Sequence, residues 1–170
     1  KDIDMLAASD EPDAVMDFFV SLPGIEHITG KGGTKASVRL KGGFGADLRV
    51  VTKARYPYAL HHFTGSKEHN TKMRHIAKSQ GLKLNEYGLW RLEDDSLIPC
   101  SSEAEIFARL GMEYIPPELR EDMGEIESAL EGNIPDLVRL TDLKGIMHVH
   151  TRYSDGSNTI AELVREAKRQ

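Results

Sequence analysis

Residues 25–51 read IEHITGKGGTKASVRLKGGFGADLRVV, and the two glycine clusters inside this stretch decide the fold. GKGG (30–33) and KGGFG (41–45) cut it into three short runs rich in β-branched and apolar residues, which predicts three strands joined by tight turns, an antiparallel meander. In the last run, GADLRVV (45–51), alternation places Leu48 and Val50 on one face and Asp47, Arg49 and Val51 on the other. GKGGT (30–34) lacks the spacing of a phosphate-binding loop and lies between strands, so it reads as a hairpin turn.

Working outward, KDIDMLAAS (1–9) alternates charged and apolar residues before turning apolar, as a half-buried strand does. Pro12 opens a helix with Val15, Phe18, Phe19 and Leu22 on its apolar face, ending before Pro23 and Gly24. On the other side, YPYALHHF (56–63) and KEHNTKMRHIAKSQ (67–80) are two helices around an FTGS turn, the second closed by Gly81. LKLNEYGLWRL (82–92) and SLIP (96–99) suggest a short strand pair, and Ser102 with Glu105 forms a capping box for the next helix. Leu119, Met123, Ile126 and Leu130 mark a further amphipathic helix. EGNIPDLVRLTDLKG (131–145) reads as a linker, GIMHVH (145–150) as a strand, and Thr159 with Glu162 caps a helix carrying Ile160, Leu163, Val164 and Ala167. The class is α+β.

The 170 residues are 39% hydrophobic and 29% charged, the range of a soluble globular protein, and no apolar run approaches a membrane span. The N-terminus has no signal-peptide pattern, and a lone cysteine, Cys100, fits a reducing cytoplasm and reads as a small buried side chain. The net charge of −5 conceals an asymmetry: residues 53–91 carry eight Lys or Arg against two acids, and residues 93–136 carry thirteen acids against two Arg. Only the first stretch suits a phosphate backbone.

Asp2 and Asp4, two apart on a strand, share a face, and Asp47 would join them if its strand lies alongside. Three such carboxylates suffice for two divalent cations, Mg²⁺ or Mn²⁺, in phosphoryl transfer. KDIDMLAAS, GADLRVV, YALHHFTGSKEHNTKMR and LNEY, in this order and spacing, resemble the palm and thumb of a family X DNA polymerase. The resemblance covers residues 1–130 and implies an antiparallel nucleotidyltransferase palm sheet with a helix (1–57), a mixed α/β thumb (58–130) and a linker (131–144). It implies that Asp2, Asp4 and Asp47 bind the catalytic metals, with Asp47 acting on the primer 3′-hydroxyl. His62, Phe63, Gly65 and Asn70 would meet the incoming deoxynucleoside triphosphate, while Lys67, Lys72, Arg74 and Lys78 would hold gapped or primer-template DNA. His62 stands where vertebrate members usually have tyrosine, so the sugar contact is expected to differ; Gly45 stands where some relatives carry arginine. His61, His69 and His75 carry no assigned role and are expected on helix surfaces.

HVHTRYSDG (148–156) resembles the first motif of a polymerase and histidinol phosphatase (PHP) domain. That implies His148, His150 and Asp155 as part of a Zn²⁺ or Mn²⁺ phosphoesterase centre whose other ligands come from later strands, with residues 145–170 the first strand–helix unit. The chain is therefore expected to be a fragment with little polymerase activity of its own, from a monomeric cytoplasmic DNA-repair polymerase with no membrane partner. Two alternatives stand beside this: a parent acting mainly as a PHP exonuclease or phosphoesterase, and a fragment serving only as a DNA-binding module.

Overall fold

The computed structural model describes residues 2–145 and 148–169. The chain divides between Ile134 and Pro135 into two compact units. Among the described residues, no helix is long and apolar enough to cross a membrane.

The first unit opens with strand β1 (Asp2–Ala8) and helix α1 (Pro12–Val20), followed by the meander β2 (Ile25–Lys31), β3 (Lys35–Leu40) and β4 (Gly45–Val51). The meander is antiparallel, as its glycine turns predict. β1 differs: it joins the far edge in parallel with β4, giving the order β1-β4-β3-β2. A parallel pair needs a crossover, and α1 with the β2–β3 hairpin supplies it. α1 covers one face, where Met16 and Phe19 pack against Ala36, Val38, Leu48 and Val50. The expected apolar stripe of α1 is rotated accordingly, since Met16 is fully buried and Phe18 is 67% exposed. The opposite face stays open and carries the polar alternates of the strands.

Helices α2 (Tyr56–Thr64) and α3 (Lys67–Ser79) follow, then the hairpin β5 (Leu82–Asn85) and β6 (Gly88–Arg91), helix α4 (Glu103–Arg109), and helix α5 (Glu125–Leu130). They enclose a second core centred on Tyr58, Met73, Leu89, Phe107 and Ile126. Ser66 caps α3 by accepting from the His69 backbone N–H, and Ser102 caps α4 by accepting from that of Glu105. The Glu105 carboxylate reaches back to the Ser101 N–H, one residue before the expected box. Tyr58 ties helix to loop, donating its hydroxyl to the Ile98 carbonyl (2.7 Å) and accepting from the Cys100 N–H (2.7 Å). Cys100 is buried as expected, and burial pushes its thiol up, away from nucleophilic use.

The helix expected over Leu119–Leu130 is shorter than its periodicity suggests. Gly124 adopts a left-handed φ of 104°, so α5 begins only after it, and Met123 is left 89% exposed. The second unit contains a short 3₁₀ turn, Leu140–Asp142, and helix α6 (Ile160–Arg169), which Thr159 and Glu162 box as predicted. Of the expected strand GIMHVH, Ile146 and Met147 lie outside the described residues. His148–His150 form no strand, having no partner strand among the described residues to complete their hydrogen bonds.

Candidate functional site

The open face of the four-stranded sheet collects the expected carboxylates in part. The parallel register sets Asp4 opposite Asp47 and Asp2 opposite Gly45, so all three side chains leave the same face. Asp4 and Asp47 line one groove of about 320 Å³ together with Lys35, Arg49, Leu60 and Phe63. Asp2 lies a step further along. Among the described residues no three carboxylate, histidine or cysteine side chains are gathered closely enough to hold a metal ion. Their chemistry nonetheless suits a hard divalent cation: carboxylate oxygens with solvent access, on adjacent strands.

Gly45 is fitted to Asp2. A Cβ there would stand 2.5 Å from Asp2 Oδ1 and 3.1 Å from its Cγ, so any side chain at 45 displaces that carboxylate. Asp47 already has a partner: the Lys35 Nζ lies 2.5 Å from its Oδ2. That ammonium, with the Ser37 hydroxyl, holds the Asp47 carboxyl below the usual carboxylate range, so it is ionised at neutral pH.

The second wall of the groove is the end of α2. Phe63 is 43% exposed, and the Arg49 guanidinium lies 4.8 Å from its ring centroid. His62 packs edge-on against Phe63 at 4.9 Å, and partial burial lowers its pKa. Gly65 leaves room for His69, whose ring a Cβ would meet at 2.9 Å. Asn70 is buried, and both hydrogens of its amide are committed to the turn, donated to the carbonyls of His62 (2.8 Å) and Gly65 (3.1 Å). Only its Oδ1, an acceptor, is left for the minor-groove edge of a base, where guanine alone offers a donor. In this conformation Asn70 serves the turn.

Among the expected DNA contacts, Lys67, Arg74 and Lys78 are exposed on α3. Lys72 is not available in the same way. Its ammonium is taken by Asp122 (2.9 Å) and Glu127 (2.5 Å), so acids from the downstream stretch neutralise part of the basic helix.

The expectation for two of the histidines is corrected. His61 and His69 are 2% and 0% exposed, and only His75 lies on the surface. His69, Met73 and Ala77 fall at i, i+4 and i+8, a stripe that marks the inner face of α3. Burial lowers the pKa of His69 despite Glu125 beside it; the Glu125 carboxylate, which burial would raise, is held low by His69 and three backbone amides. Neutral His69 therefore donates Nδ1–H to Glu125 (2.7 Å). Arg120, with no exposed surface, pairs with Glu103 at 2.5 Å and lies over Phe107 and Tyr114. Its backbone carbonyl accepts from the Ser66 N–H (3.0 Å), fixing the turn between α2 and α3. None of Arg120, Glu125, His61 and His69 was assigned from sequence.

In the second unit, His148 and His150 bring their Nε2 atoms to 2.9 Å, and Asp155 accepts from His150 Nδ1 at 2.5 Å. Asp155 thus orients the His150 ring and turns its Nε2 towards His148. Gly156 permits this loop, because a Cβ there would strike the His150 backbone at 2.4 Å.

Residues 59–121 match the family profile of the DNA polymerase beta thumb. The chain is 40% identical over 165 residues to the Bacillus subtilis DNA polymerase/3'-5' exonuclease PolX, covering 96% of this chain and 29% of that protein. It is 41% identical over 75 residues to the human DNA-directed DNA/RNA polymerase mu, covering 44% of this chain and 15% of that one. Among solved structures, Leishmania infantum polymerase beta in a ternary P/T complex superposes with a TM-score of 0.59 at 29% identity, covering 71% of this chain and 61% of that one.

Proposed function

Because the chain carries a family X, DNA polymerase beta-like thumb, we propose that the whole protein is a DNA-directed DNA polymerase and that residues 1–134 contribute its metal-binding carboxylates and part of its DNA grip. The chain spans 29% of the length of the Bacillus subtilis protein, and the activity belongs to the longer enzyme. The observation that carries the reading is the register of Asp4 against Asp47 on an open sheet face that borders the Phe63 turn.

In this reading Asp4 and Asp47, with Asp2 beside them, hold Mg²⁺ or Mn²⁺. When bound, the metal neutralises charge on the triphosphate and acidifies the primer hydroxyl. Asp47, ionised at neutral pH, receives the proton of the 3′-hydroxyl as that oxygen attacks the α-phosphate and pyrophosphate leaves. Phe63 supplies an apolar wall for the sugar, and His62 takes the neighbouring position as a neutral ring. Lys67, Arg74 and Lys78 attract the phosphate backbone without reading sequence. Deoxynucleoside triphosphates and gapped or primer-template DNA are the substrates, gap repair the setting, a cytoplasmic monomer the form.

A second activity is favoured by the paired Nε2 atoms of His148 and His150, with Asp155 behind them: a PHP-type phosphoesterase centre taking Zn²⁺ or Mn²⁺, completed by residues outside this chain. The name of the Bacillus subtilis relative, which includes a 3'-5' exonuclease, agrees with that division of labour.

Mn²⁺ titration of the isotope-labelled chain tests the first reading. Paramagnetic broadening should centre on residues 2–4 and 45–47, with a second focus at His148 and His150. Broadening that avoids the sheet face altogether would remove the nucleotidyl-transfer reading.

A further inference from the structure

The groove that holds Asp4 and Asp47 also holds a cation of the protein's own. Lys35 opens β3, and its register partner on β4 is Arg49, which places it on the open face one step from Ser37, the partner of Asp47. Its ammonium reaches Asp47 at 2.5 Å, and both side chains keep solvent access, 43% and 31% exposed. Among the described residues Asp4, across the register, has no ion pair. The two carboxylates facing each other are therefore unequal: one is already compensated and the other is bare. A divalent cation held by both would sit on the same carboxylate as the ammonium, which pairs with Oδ2, and the two positive charges repel at that separation.

We propose that Lys35 is the resident counter-ion of Asp47, holding the carboxylate in place until a hard divalent cation displaces the ammonium, so that metal entry at this site is an exchange. The inference rests on the reading of Asp4 and Asp47 as a metal pair. It makes Lys35 a positioning residue that sets the concentration at which the site fills. A half-exposed ion pair is worth up to about 1 kcal/mol, so the exchange weakens metal binding by up to about fivefold.

The test follows Lys35 directly. In the labelled chain, the Lys35 Nζ resonance should shift towards that of a free lysine as Mg²⁺ is added, in step with the Asp4 and Asp47 signals. Mn²⁺ affinity, read by water proton relaxation, should tighten by about fivefold in Lys35→Met, stay near the starting value in Lys35→Arg, and be unchanged in Lys83→Met, which removes the same charge from β5. An Nζ signal that ignores Mg²⁺ while the carboxylates respond overturns the exchange, as does an equal gain in Lys35→Met and Lys83→Met. If no variant and no unaltered chain binds metal at residues 2–4 and 45–47, the metal-pair reading fails and Lys35 falls with it. Lys35 is a surface residue, and an unchanged amide spectrum of Lys35→Met confirms the fold.

Discussion

His61 should make the thumb core acid-sensitive, and the size of the effect follows from its surroundings. The ring is 2% exposed, packs edge-on against Phe107 at 5.3 Å, and leaves Nε2 without a hydrogen-bond partner among the described residues. Burial first, then the charges of Arg120, His69 and His62, push its pKa down to about 3 from an ordinary 6.5. The unfolded chain therefore takes up the proton before the folded one does. Stability is complete above the unfolded pKa and falls as pH drops below it, by up to about 1.4 kcal/mol per pH unit. Between about pH 7.5 and about pH 5 the loss from His61 alone comes to about 2 kcal/mol. The neighbouring His69, also lowered, acts with the same sign. Carboxylates held low, such as Glu125, lose their contribution only below the ordinary carboxylate range, so the histidine window comes first.

The assay is urea unfolding across that pH range, followed by the fluorescence of Trp90, the chain's one tryptophan, which lies half-buried on β6 next to the core residue Leu89. His61→Leu keeps the volume and removes the titrating group. Its stability should decline by about 2 kcal/mol less than that of the unaltered chain on going to about pH 5, with little difference between them at about pH 7.5. Parallel declines would refute the argument, for they would mean that water reaches His61 or that a partner satisfies its Nε2.

Tyr58→Phe removes the hydroxyl that serves both Ile98 and Cys100, leaving a buried N–H unpaired and the Ile98 carbonyl with only the weak Cys100 S–H contact; the thumb should lose about 1–3 kcal/mol in the same unfolding assay. Gly45→Ala places a methyl 2.5 Å from Asp2 Oδ1, so Mn²⁺ binding should weaken while the amide spectrum away from β1 and β4 stays unchanged; full retention of affinity would exclude Asp2 from the metal pair's surroundings. Lys67→Met should lower the salt dependence of DNA binding by about one phosphate contact, whereas Lys72→Met should leave that slope unchanged because Asp122 and Glu127 already compensate the charge.

The strands of the meander, their turns, the close of α3 at Gly81, the caps of α4 and α6 and the split of faces in GADLRVV were legible in the sequence, because each rests on neighbours a few residues apart; the strand expected at SLIP is only a single bridge, Leu97 to Trp90, and the hairpin forms inside LKLNEYGLWRL instead. The parallel docking of β1 on β4 was not, since it joins Asp4 to Asp47 across more than forty residues and depends on which sheet edge is free. The same limit hid Lys35, whose significance lies in a cross-strand reach to Asp47, and Arg120 and Glu125, which look like two more members of an acidic, solvated stretch. His69 was legible in principle, through its stripe with Met73 and Ala77, but a histidine among lysines reads as surface until that stripe is counted. The helix at 119–130 failed for a local reason: periodicity ran across Gly124, and the left-handed backbone there stopped it.

The turn at residues 63–66 is held by partners that arrive late in the chain. Ser66 donates to the carbonyl of Arg120, and His69 meets Glu125 at a separation of 56 residues. On the ribosome, α2, α3 and the Asn70 bonds to the turn can form as soon as they emerge, yet the anchors at Arg120 and Glu125 are missing until those residues have left the exit tunnel. Closing such a long loop is an entropic step that local helix formation does not shorten. The turn is thus completed only in the last stage of thumb synthesis, and a nascent chain stalled before Arg120 would hold it by Asn70 and Ser66 alone.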